Sequence, residues 1–493
     1  MTMQKILRRF PKGTLSSTPR TYTNHSVSFK RPYTREERMK KLEDVGWNVF
    51  YFPSEMITGC DLLSDSGTTT MTDEQWAALH IGDEAYGSNR GYFLLLEEIQ
   101  SCFGEQFGNT SGQHYDSFLF HQGRAAEDGL FHALGVIGRK QIIPSNGHFD
   151  TTAANIAASG MTPVNLFSKH LKDNKSEEAF KGNMDTQALE NYVKKHKENI
   201  PIILLTITNN TGGGQPVSMK NIQDVSAIAK KHKIPFFFDA CRFAENAWFI
   251  KQHEKGYARR KISTIVKEMF SHVDGFTISF KKDGLANMGG GLFLKTNGLF
   301  VQKYPDIPEA IMDYQILTEG HPTYGGMSGR DLMTIIVGLQ TVLKEEYLTH
   351  RISQIQYFGN SMKEKGLPVV FPIGGHAVYL DMNEFFKGTR MRPEDFGGIS
   401  FTALLLGLYG HRACELGYFA FGSYDNKTRR HTFPEINYVR LAVPRLRYER
   451  QDLEHVAESV EELFQNRDSI PKTKVVTGLN TSLRHFKATF ALS

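Results

Sequence analysis

The 493-residue chain has few cysteines and no long apolar run, and its charges nearly balance. Cys60, Cys102, Cys241 and Cys414 are scattered without a CxxC pair, which argues against a disulfide scaffold or a zinc site and fits a reducing compartment such as the cytoplasm. No apolar run reaches the roughly 18 residues of a membrane-spanning helix, so no membrane partner is expected. With 58 basic and 53 acidic residues, the net charge of +5 gives no indication of nucleic-acid binding.

The first 33 residues lack acidic side chains altogether, whereas basic residues, serine and threonine are frequent there. We interpret residues 1–33 as a basic arm that is disordered or tied to the folded domains. A mitochondrial transit peptide has the same composition and is the alternative interpretation. The apolar centre of a secretion signal is missing, so secretion is not expected.

Beyond this arm, short apolar strands alternate with helical stretches. Strands are predicted at 202–206, 236–238 and 275–279, and helices at 34–42, 125–134 and 221–232. Wholly apolar strands between helices are typical of a mostly parallel sheet that is covered on both faces, so the fold class is α/β. Binding sites in such sheets lie at the carboxyl ends of the strands.

The pattern changes after about residue 345. A helix is predicted at 344–365, strands at 369–371, 377–380 and 438–443, and a further helix at 451–466. These elements indicate a second, smaller α/β domain. We therefore predict a large domain at 61–345 and a small domain made of 34–60 and 346–493.

The most informative segment contains Asp239 and a pair of lysines. One apolar strand ends at Asp239, and the next apolar run ends in Ser279, Phe280, Lys281 and Lys282. Pyridoxal 5′-phosphate (PLP) needs a lysine amine for its Schiff base and a carboxylate for its ring nitrogen, so this combination predicts a PLP site. Each part alone has a plainer explanation, a helix cap for Asp239 and a solvated face for the lysines. Spacing alone does not choose between Lys281 and Lys282.

Two further segments are candidates for binding an anion or a ligand. His121 to Arg124 precede a predicted helix, and backbone N–H groups at a helix start together with an arginine can hold a phosphate. The loop from Asn209 to Pro216 contains three consecutive glycines after a strand. Either segment alone is equally well explained as an ordinary turn.

Taken together, the motifs resemble those of the β-eliminating lyases, a family with tryptophan-cleaving and tyrosine-cleaving branches. The matching segments are Leu62–Thr68, Gly82–Tyr86, His121–Glu127, the Asn210 loop, Asp239–Asn246, Lys281–Asp283, Glu319–Gly326, Val439–Leu441 and Leu483–Phe486. The resemblance runs from about residue 33 to the end of the chain. It implies an aspartate-aminotransferase-like fold (PLP fold type I), PLP and potassium as cofactors, an amino-acid substrate and a homotetramer.

The resemblance also implies a role for each matching residue. Lys282 would be the Schiff-base lysine and α-proton base, and Tyr86 the general acid. The cofactor would be held by Gln122, Gly123, Arg124, Phe149, Asn210, Asp239, Arg242, Ser279 and Lys281. The substrate would be bound by Phe50, Ser64, Ser66, Asn210 and Arg440, and potassium by Gly67, Glu84 and Asn287. By spacing alone Arg445 and Arg447 remain alternatives to Arg440, and Tyr86 could be an ordinary core tyrosine.

Three positions bear on which branch the chain resembles. Leu416 stands where the phenol-releasing enzymes have an arginine, and an apolar side chain cannot hydrogen-bond a phenol oxygen. Asp150 and His485 match the tryptophan branch and would be catalytic at the indole, although His485 could instead be structural. The resemblance therefore implies β-elimination of L-tryptophan to indole, pyruvate and ammonia. The alternative is a lyase or deaminase that acts on tyrosine, dihydroxyphenylalanine or a cysteine derivative.

Overall fold

The computed structural model of the protein describes residues 20–23, 27–109, 116–138, 140–171, 173 and 176–493. Its internal contacts divide the chain into residues 1–30 and a compact unit from Arg31 to Ser493. Most of the predicted basic arm lies outside the described residues, so both interpretations of the arm stay predictions. Among the described residues, no helix has the length and apolar character needed to cross a membrane.

The main sheet of the described residues has seven strands. They are β1 (Ser117–Phe120), β2 (Ile142–Ser145), β3 (Thr162–Asn165), β4 (Ile203–Thr206), β5 (Phe236–Asp239), β6 (Gly275–Ser279) and β7 (Gly290–Leu294). Their order across the sheet is β1-β7-β6-β5-β4-β2-β3. The pairs from β3 to β6 are parallel, whereas β7 runs antiparallel to β1 and to β6. The prediction of a mostly parallel sheet in an α/β fold is therefore confirmed.

Twelve α-helices lie in the first two thirds of the described chain. They are α1 (Arg35–Asp44), α2 (Asp73–Ile81), α3 (Arg90–Phe103), α4 (Gly123–Ile137), α5 (Asp150–Ala158), α6 (Thr186–His196), α7 (Met219–His232), α8 (Phe243–His253), α9 (Ile262–Ser271), α10 (Leu299–Lys303), α11 (Ile307–Glu319) and α12 (Gly329–Val342). The predicted start of α1 is confirmed, because the Thr34 hydroxyl accepts from the Glu37 N–H and the Glu37 carboxylate accepts from the Thr34 N–H.

Alternation along β5 explains why the sheet is covered on both faces. Phe236 and Phe238 belong to one hydrophobic cluster with Phe270, while Phe237 belongs to another with Phe300 on the opposite face. Burial of each phenylalanine contributes roughly 1.5–3 kcal/mol to folding. A strand that is apolar on both faces must lie inside the sheet, so Asp239 at its end is carried into the interior.

The last third of the chain forms smaller sheets and their helices. Its elements are α13 (Glu345–Glu364), β8 (Ala377–Asp381), α14 (Met382–Phe385), α15 (Gly397–Tyr409), β9 (Cys414–Leu416), β10 (Ser423–Asp425), β11 (Arg430–Thr432), β12 (Tyr438–Ala442), α16 (Arg450–Gln465), β13 (Thr473–Thr477) and β14 (Thr489–Leu492). An antiparallel sheet has the order β8-β12-β9, and two strand pairs, β10-β11 and β13-β14, complete this part of the described chain. The predicted domain limits at 60/61 and 345/346 stay a prediction.

One predicted strand is wrong. Residues 369–371 make an isolated bridge, from Val369 to Leu380, and no longer ladder. Pro368 and Pro372 flank the segment, and proline has no N–H to donate to a neighbouring strand. The other predicted strands and helices are present, with ends shifted by a few residues.

Candidate active site

A cavity of about 300 Å3 lies at the carboxyl ends of three parallel strands. Thr206, Asp239 and Ser279, the last residues of β4, β5 and β6, all line it. This is the edge at which binding sites of such sheets are expected. The segments at 63–66, 414–416, 440 and 485–486 close the cavity from the other side.

Most of the residues predicted for the site meet in this cavity. Those that line it are Phe50, Ser64, Ser66, Gln122, Gly123, Arg124, Phe149, Asp150, Asn210, Asp239, Arg242, Ser279, Lys281, Lys282, Arg440 and His485. Tyr86, Gly67, Glu84 and Asn287 are not among the described residues that form its wall.

One end of the cavity is built to hold an anion. Helix α4 begins at Gly123 directly beside Ser279, and a Cβ atom at Gly123 would lie 2.6 Å from the Ser279 Cβ. Glycine therefore allows the positive end of the helix dipole and its N–H groups to approach the end of β6. Burial lowers the pKa of Lys281, as do the positive charges of Lys282 and Arg124, and an anion bound here would relieve that repulsion.

The acidic end of the cavity contains buried groups without a partner. Oδ1 of Asp239 and Oγ1 of Thr208 are buried, and neither has a hydrogen-bond partner among the described residues. An unpaired buried carboxylate oxygen is costly unless a ligand supplies the donor. A protonated ring nitrogen is such a donor, so Asp239 and the anion-binding end together fit PLP.

Glu127 and Thr152 are cavity residues to which the sequence analysis gave no role. The Thr152 hydroxyl donates to Glu127 Oε1 at 2.8 Å, and both side chains are buried. Burial and the neighbouring charge of Asp239 raise the pKa of Glu127 to about 8. The signal available in the sequence was position, because Glu127 lies one helical turn after Gly123 on the same face of α4.

A buried network of ion pairs distinguishes Arg445 from Arg440 and Arg447, the other arginines considered for the substrate carboxylate. Arg445 is fully buried and contacts Asp65 at 2.9 Å and both Glu245 and Asp283 at 2.8 Å. Its guanidinium thus pairs with carboxylates of the protein itself. Arg447 does not line the cavity. Of the three candidates, Arg440 is the one that lines it.

Arg242 is held by the same network. Its Nε and Nη2 atoms donate to Asp65 at 3.0 and 2.8 Å, a bidentate pair that fixes the guanidinium. Burial alone would raise the pKa of Asp65, but the charges of Arg242 and Arg445 hold it well below its usual value. Asp65 therefore stays ionised between Ser64 and Ser66.

The far wall of the cavity is aromatic and apolar. The rings of Phe50 and His485 meet edge to face with centroids 5.7 Å apart, and Leu416 lies in the same wall. His485 Nε2 contacts Asp150 Oδ2 at 2.9 Å, and both side chains are buried. Nδ1 of His485 is buried and has no partner among the described residues. The pair thus leaves one ring nitrogen available to a ligand.

Tyr86 and Glu84 lie on the outside of the chain. The Tyr86 side chain is 80% exposed and contacts the rings of His321 and Tyr324, so it is not a core tyrosine. Glu84 forms a salt bridge with Arg330 at 2.8 Å. Asn287 Nδ2 donates to the Gly67 carbonyl at 3.2 Å, so two of the three predicted potassium ligands are neighbours. Within one chain, Glu84 is paired with Arg330 and does not form a common site with Gly67 and Asn287.

Comparison with known proteins identifies the family of this chain. The profile of the family described as Beta-eliminating lyase matches residues 61–459. The chain belongs to the β-eliminating lyase family. A tryptophanase of Rhodobacter capsulatus is 39% identical over 465 residues, which cover 94% of this lyase and 97% of the relative.

Relatives from both branches have similar identities. A tryptophanase of Salinibacter ruber is 40% identical over 458 residues, 92% of this chain and 91% of the relative. A tyrosine phenol-lyase of Clostridium tetani is 38% identical over 466 residues, 94% of this chain and 96% of the relative. The protein is thus a PLP-dependent lyase, as predicted.

Two solved structures show the same fold at low sequence identity. The serine palmitoyltransferase of Sphingomonas wittichii has a TM-score of 0.54 and 12% identity over 84% of this chain and 89% of its own. A complex of SepCysS with the SepCysE N-terminal domain has a TM-score of 0.51 and 13% identity over 83% of this chain and 95% of its own. The lyase therefore has the predicted aspartate-aminotransferase-like fold of PLP fold type I.

Proposed function

We propose that this lyase cleaves L-tryptophan, with one water molecule, into indole, pyruvate and ammonia. The observation that carries the proposal is the buried Asp150–His485 pair in the aromatic wall, with Nδ1 of His485 unpaired. If the proton on Nε2 is donated to Asp150, Nδ1 is an acceptor for the indole N–H. The neighbouring Leu416 side chain has no polar atom and cannot hydrogen-bond a phenol oxygen.

Different residues of the cavity have different roles in the proposed reaction. When bound, PLP links to the amine of a lysine or of the substrate and takes up the electron pair from the α-carbon. We assign to Lys282 the lysine link and the removal of the α-proton, and to Asp239 the proton on the ring nitrogen. Arg440 and Asn210, with Ser64 and Ser66, hold the substrate carboxylate. Gln122, Gly123, Arg124 and Ser279 hold the phosphate, and Phe149 stacks on the ring.

Departure of the indole requires a proton at its C3 atom. We assign this proton to Tyr86, with the Asp150–His485 pair fixing the indole nitrogen. Because Tyr86 is 80% exposed and lies outside its own chain's cavity, it can serve this purpose in the cavity of a second copy. Trp76 and Ile81 are exposed nearby in the sequence, which suits a face that is covered by another subunit.

The same arrangement accounts for the cofactors and the assembly that we propose. Glu84 from one copy would join Gly67 and Asn287 of another, and carboxylate and carbonyl oxygens suit a potassium ion. A homotetramer of closely joined dimers would supply these contacts. No two of the described cysteines form a disulfide, which suits a cytoplasmic enzyme.

The test is to mix the purified protein with PLP, potassium and L-tryptophan, and to measure indole and pyruvate while following the absorbance of the cofactor. Equal amounts of indole and pyruvate are expected. A bound cofactor that responds to L-tryptophan without release of indole would contradict the proposed substrate.

A second substrate class is favoured by the similarity to tyrosine phenol-lyases, which are 36–38% identical to this chain. Tyrosine, dihydroxyphenylalanine and cysteine derivatives are therefore the substrates to assay in parallel. Phenol, catechol and thiol products distinguish them directly from indole.

A further inference from the structure

Tyr379 has no part in the chemistry described above, yet its hydroxyl donates to Asn210, a cavity residue proposed to bind the substrate carboxylate. It lies on β8 and is the direct cross-strand neighbour of Arg440 on β12. Opposed residues of antiparallel strands point to the same face of the sheet. The phenol of Tyr379 and the guanidinium of Arg440 therefore lie side by side, and both reach Asn210.

Three donors converge on the side-chain oxygen of Asn210. Its Oδ1 atom lies 2.7 Å from Tyr379 Oη, 3.1 Å from His376 Nε2 and 3.2 Å from Arg440 Nη1. All four side chains are buried. The Tyr379 hydroxyl is also 3.0 Å from the Asn210 backbone carbonyl, so Oδ1 is the nearer of its two acceptors.

The protonation of two of these donors is fixed by their surroundings. Burial raises the pKa of Tyr379 to about 12, so its phenol keeps its proton. Burial and the charge of Arg242 hold the pKa of His376 well below its usual value, so the imidazole is neutral with a single ring proton. When this proton is on Nε2, His376 donates it to Asn210 Oδ1. Nδ1 of His376 then has no partner among the described residues.

Convergence of donors sets the direction of the Asn210 amide. Three donors cannot approach an amide nitrogen, which has two hydrogens and no acceptor. Oδ1 must therefore face Tyr379, His376 and Arg440, and Nδ2 is left for the cavity that Asn210 lines. The Arg440 Nε atom is without a partner among the described residues. Asn210 and Arg440 both line the cavity, and N–H donors suit a carboxylate.

We propose that Tyr379 is a positioning residue whose hydroxyl fixes the Asn210 amide with its nitrogen toward the cavity, which gives the site its preference for the α-carboxylate of the substrate. The inference deepens the proposed function and rests on it in one respect, that the substrate is an α-amino acid. It does not depend on which side chain leaves.

The test compares L-alanine with L-alaninamide, which differ in the carboxylate alone and carry no leaving group. Each is titrated into the holoenzyme, and its dissociation constant is read from the change in cofactor absorbance. In Tyr379→Phe one buried hydrogen bond is lost, so we expect L-alanine to bind about tenfold more weakly and L-alaninamide to change by less than about twofold. The affinity for PLP, measured by equilibrium dialysis, should stay unchanged.

Two further variants serve as controls. Tyr347 is also a buried tyrosine, but its hydroxyl has no partner among the described residues, so Tyr347→Phe should leave both dissociation constants unchanged. Asn210→Asp offers acceptors to the same three donors and should fold, but it presents no N–H to the cavity. We expect it to weaken L-alanine binding more than Tyr379→Phe does.

Two results would overturn the proposal. One is equal weakening of both ligands, or no weakening, in Tyr379→Phe. The other is a loss of PLP affinity with an unchanged ratio of the two dissociation constants, which would mean that Asn210 faces the cofactor alone. Neither result depends on indole release, so a failed tryptophan assay and a failed alanine comparison remain distinguishable.

Discussion

The cavity at Lys282 and the exposed face that carries Glu84 and Tyr86 differ in how complete they are within one chain. One chain supplies cavity residues from Phe50 to His485. They include the anion-binding end, the acidic end at Asp239, and Asn210 and Arg440, which are proposed to bind the substrate carboxylate. On the exposed face, Tyr86 does not line the cavity of its own chain, and Glu84 forms a salt bridge with Arg330. We infer that cofactor binding belongs to the single chain, whereas proton delivery and cation binding require a second copy.

The largest expected effect tests the core of the cavity. Lys282→Ala removes the proposed lysine link and the proposed α-proton base, so lyase activity should fall by roughly 10^4 or more. The visible absorption band of the bound cofactor should be lost as well. Lys281→Ala is the matched control, and it should retain the band with weaker affinity for PLP. The reverse result would reassign the Schiff base to Lys281.

The exposed face is tested by Tyr86→Phe, which should lower the release of indole by about 10^2–10^3 because the general acid is lost. Mixing inactive Tyr86→Phe and Lys282→Ala subunits gives a sharper result. If Tyr86 serves the partner's cavity, subunit exchange should restore roughly a quarter of wild-type activity, because half of the dimers then contain one intact site. No recovery after proven exchange would place Tyr86 in its own chain's site and remove the difference between the two regions.

The indole end of the cavity is tested by His485→Phe. If His485 accepts from the indole N–H, its loss leaves that N–H unpaired at a cost of about 1–3 kcal/mol, so kcat/KM for L-tryptophan should fall by about 10^2. S-Methyl-L-cysteine has no ring to recognise, so its kcat/KM should hardly change. An equal loss for both substrates would give His485 a structural role instead.

The smallest effect concerns Glu127 in the cofactor-free protein. Its pKa is raised to about 8, so between about pH 4.5 and 8 the folded state keeps a proton that the unfolded chain has lost. Stability should therefore fall as pH rises through that range, and Glu127→Gln should reduce this fall. The melting temperatures of variant and wild type should diverge by a few degrees from pH 5 to pH 8.

The adjacent residue supplies the control for this prediction. Asp128→Asn alters the next position of α4, where the side chain bonds to Tyr314 away from the cavity. It should leave the pH dependence as in the wild type. Parallel curves for Glu127→Gln and wild type would mean that Glu127 is ionised in the folded protein.

Much of the fold and of the cofactor site was predictable because its signals are local. Wholly apolar segments that end in Asp239 and Ser279 predict buried strands, and the strand order then places their ends together. The segment at 369–371 was mistaken for a strand because its apolar character outweighed the flanking prolines. The position of Glu127 one turn after Gly123 was visible in the sequence, but its raised pKa was not, because burial is set only by the packing of the whole chain.

The sequence by itself predicted a PLP site, since a lysine pair, an acid and a glycine each stand at the end or the start of a predicted element. The tertiary structure decided which arginine lines the cavity without a carboxylate partner among the described residues, because Arg445 pairs with carboxylates that are far from it in the chain. It also decided the direction of the Asn210 amide, through a hydroxyl 169 positions away. Periodicity reports which face of an element is buried, whereas contacts between distant side chains exist only after the elements pack.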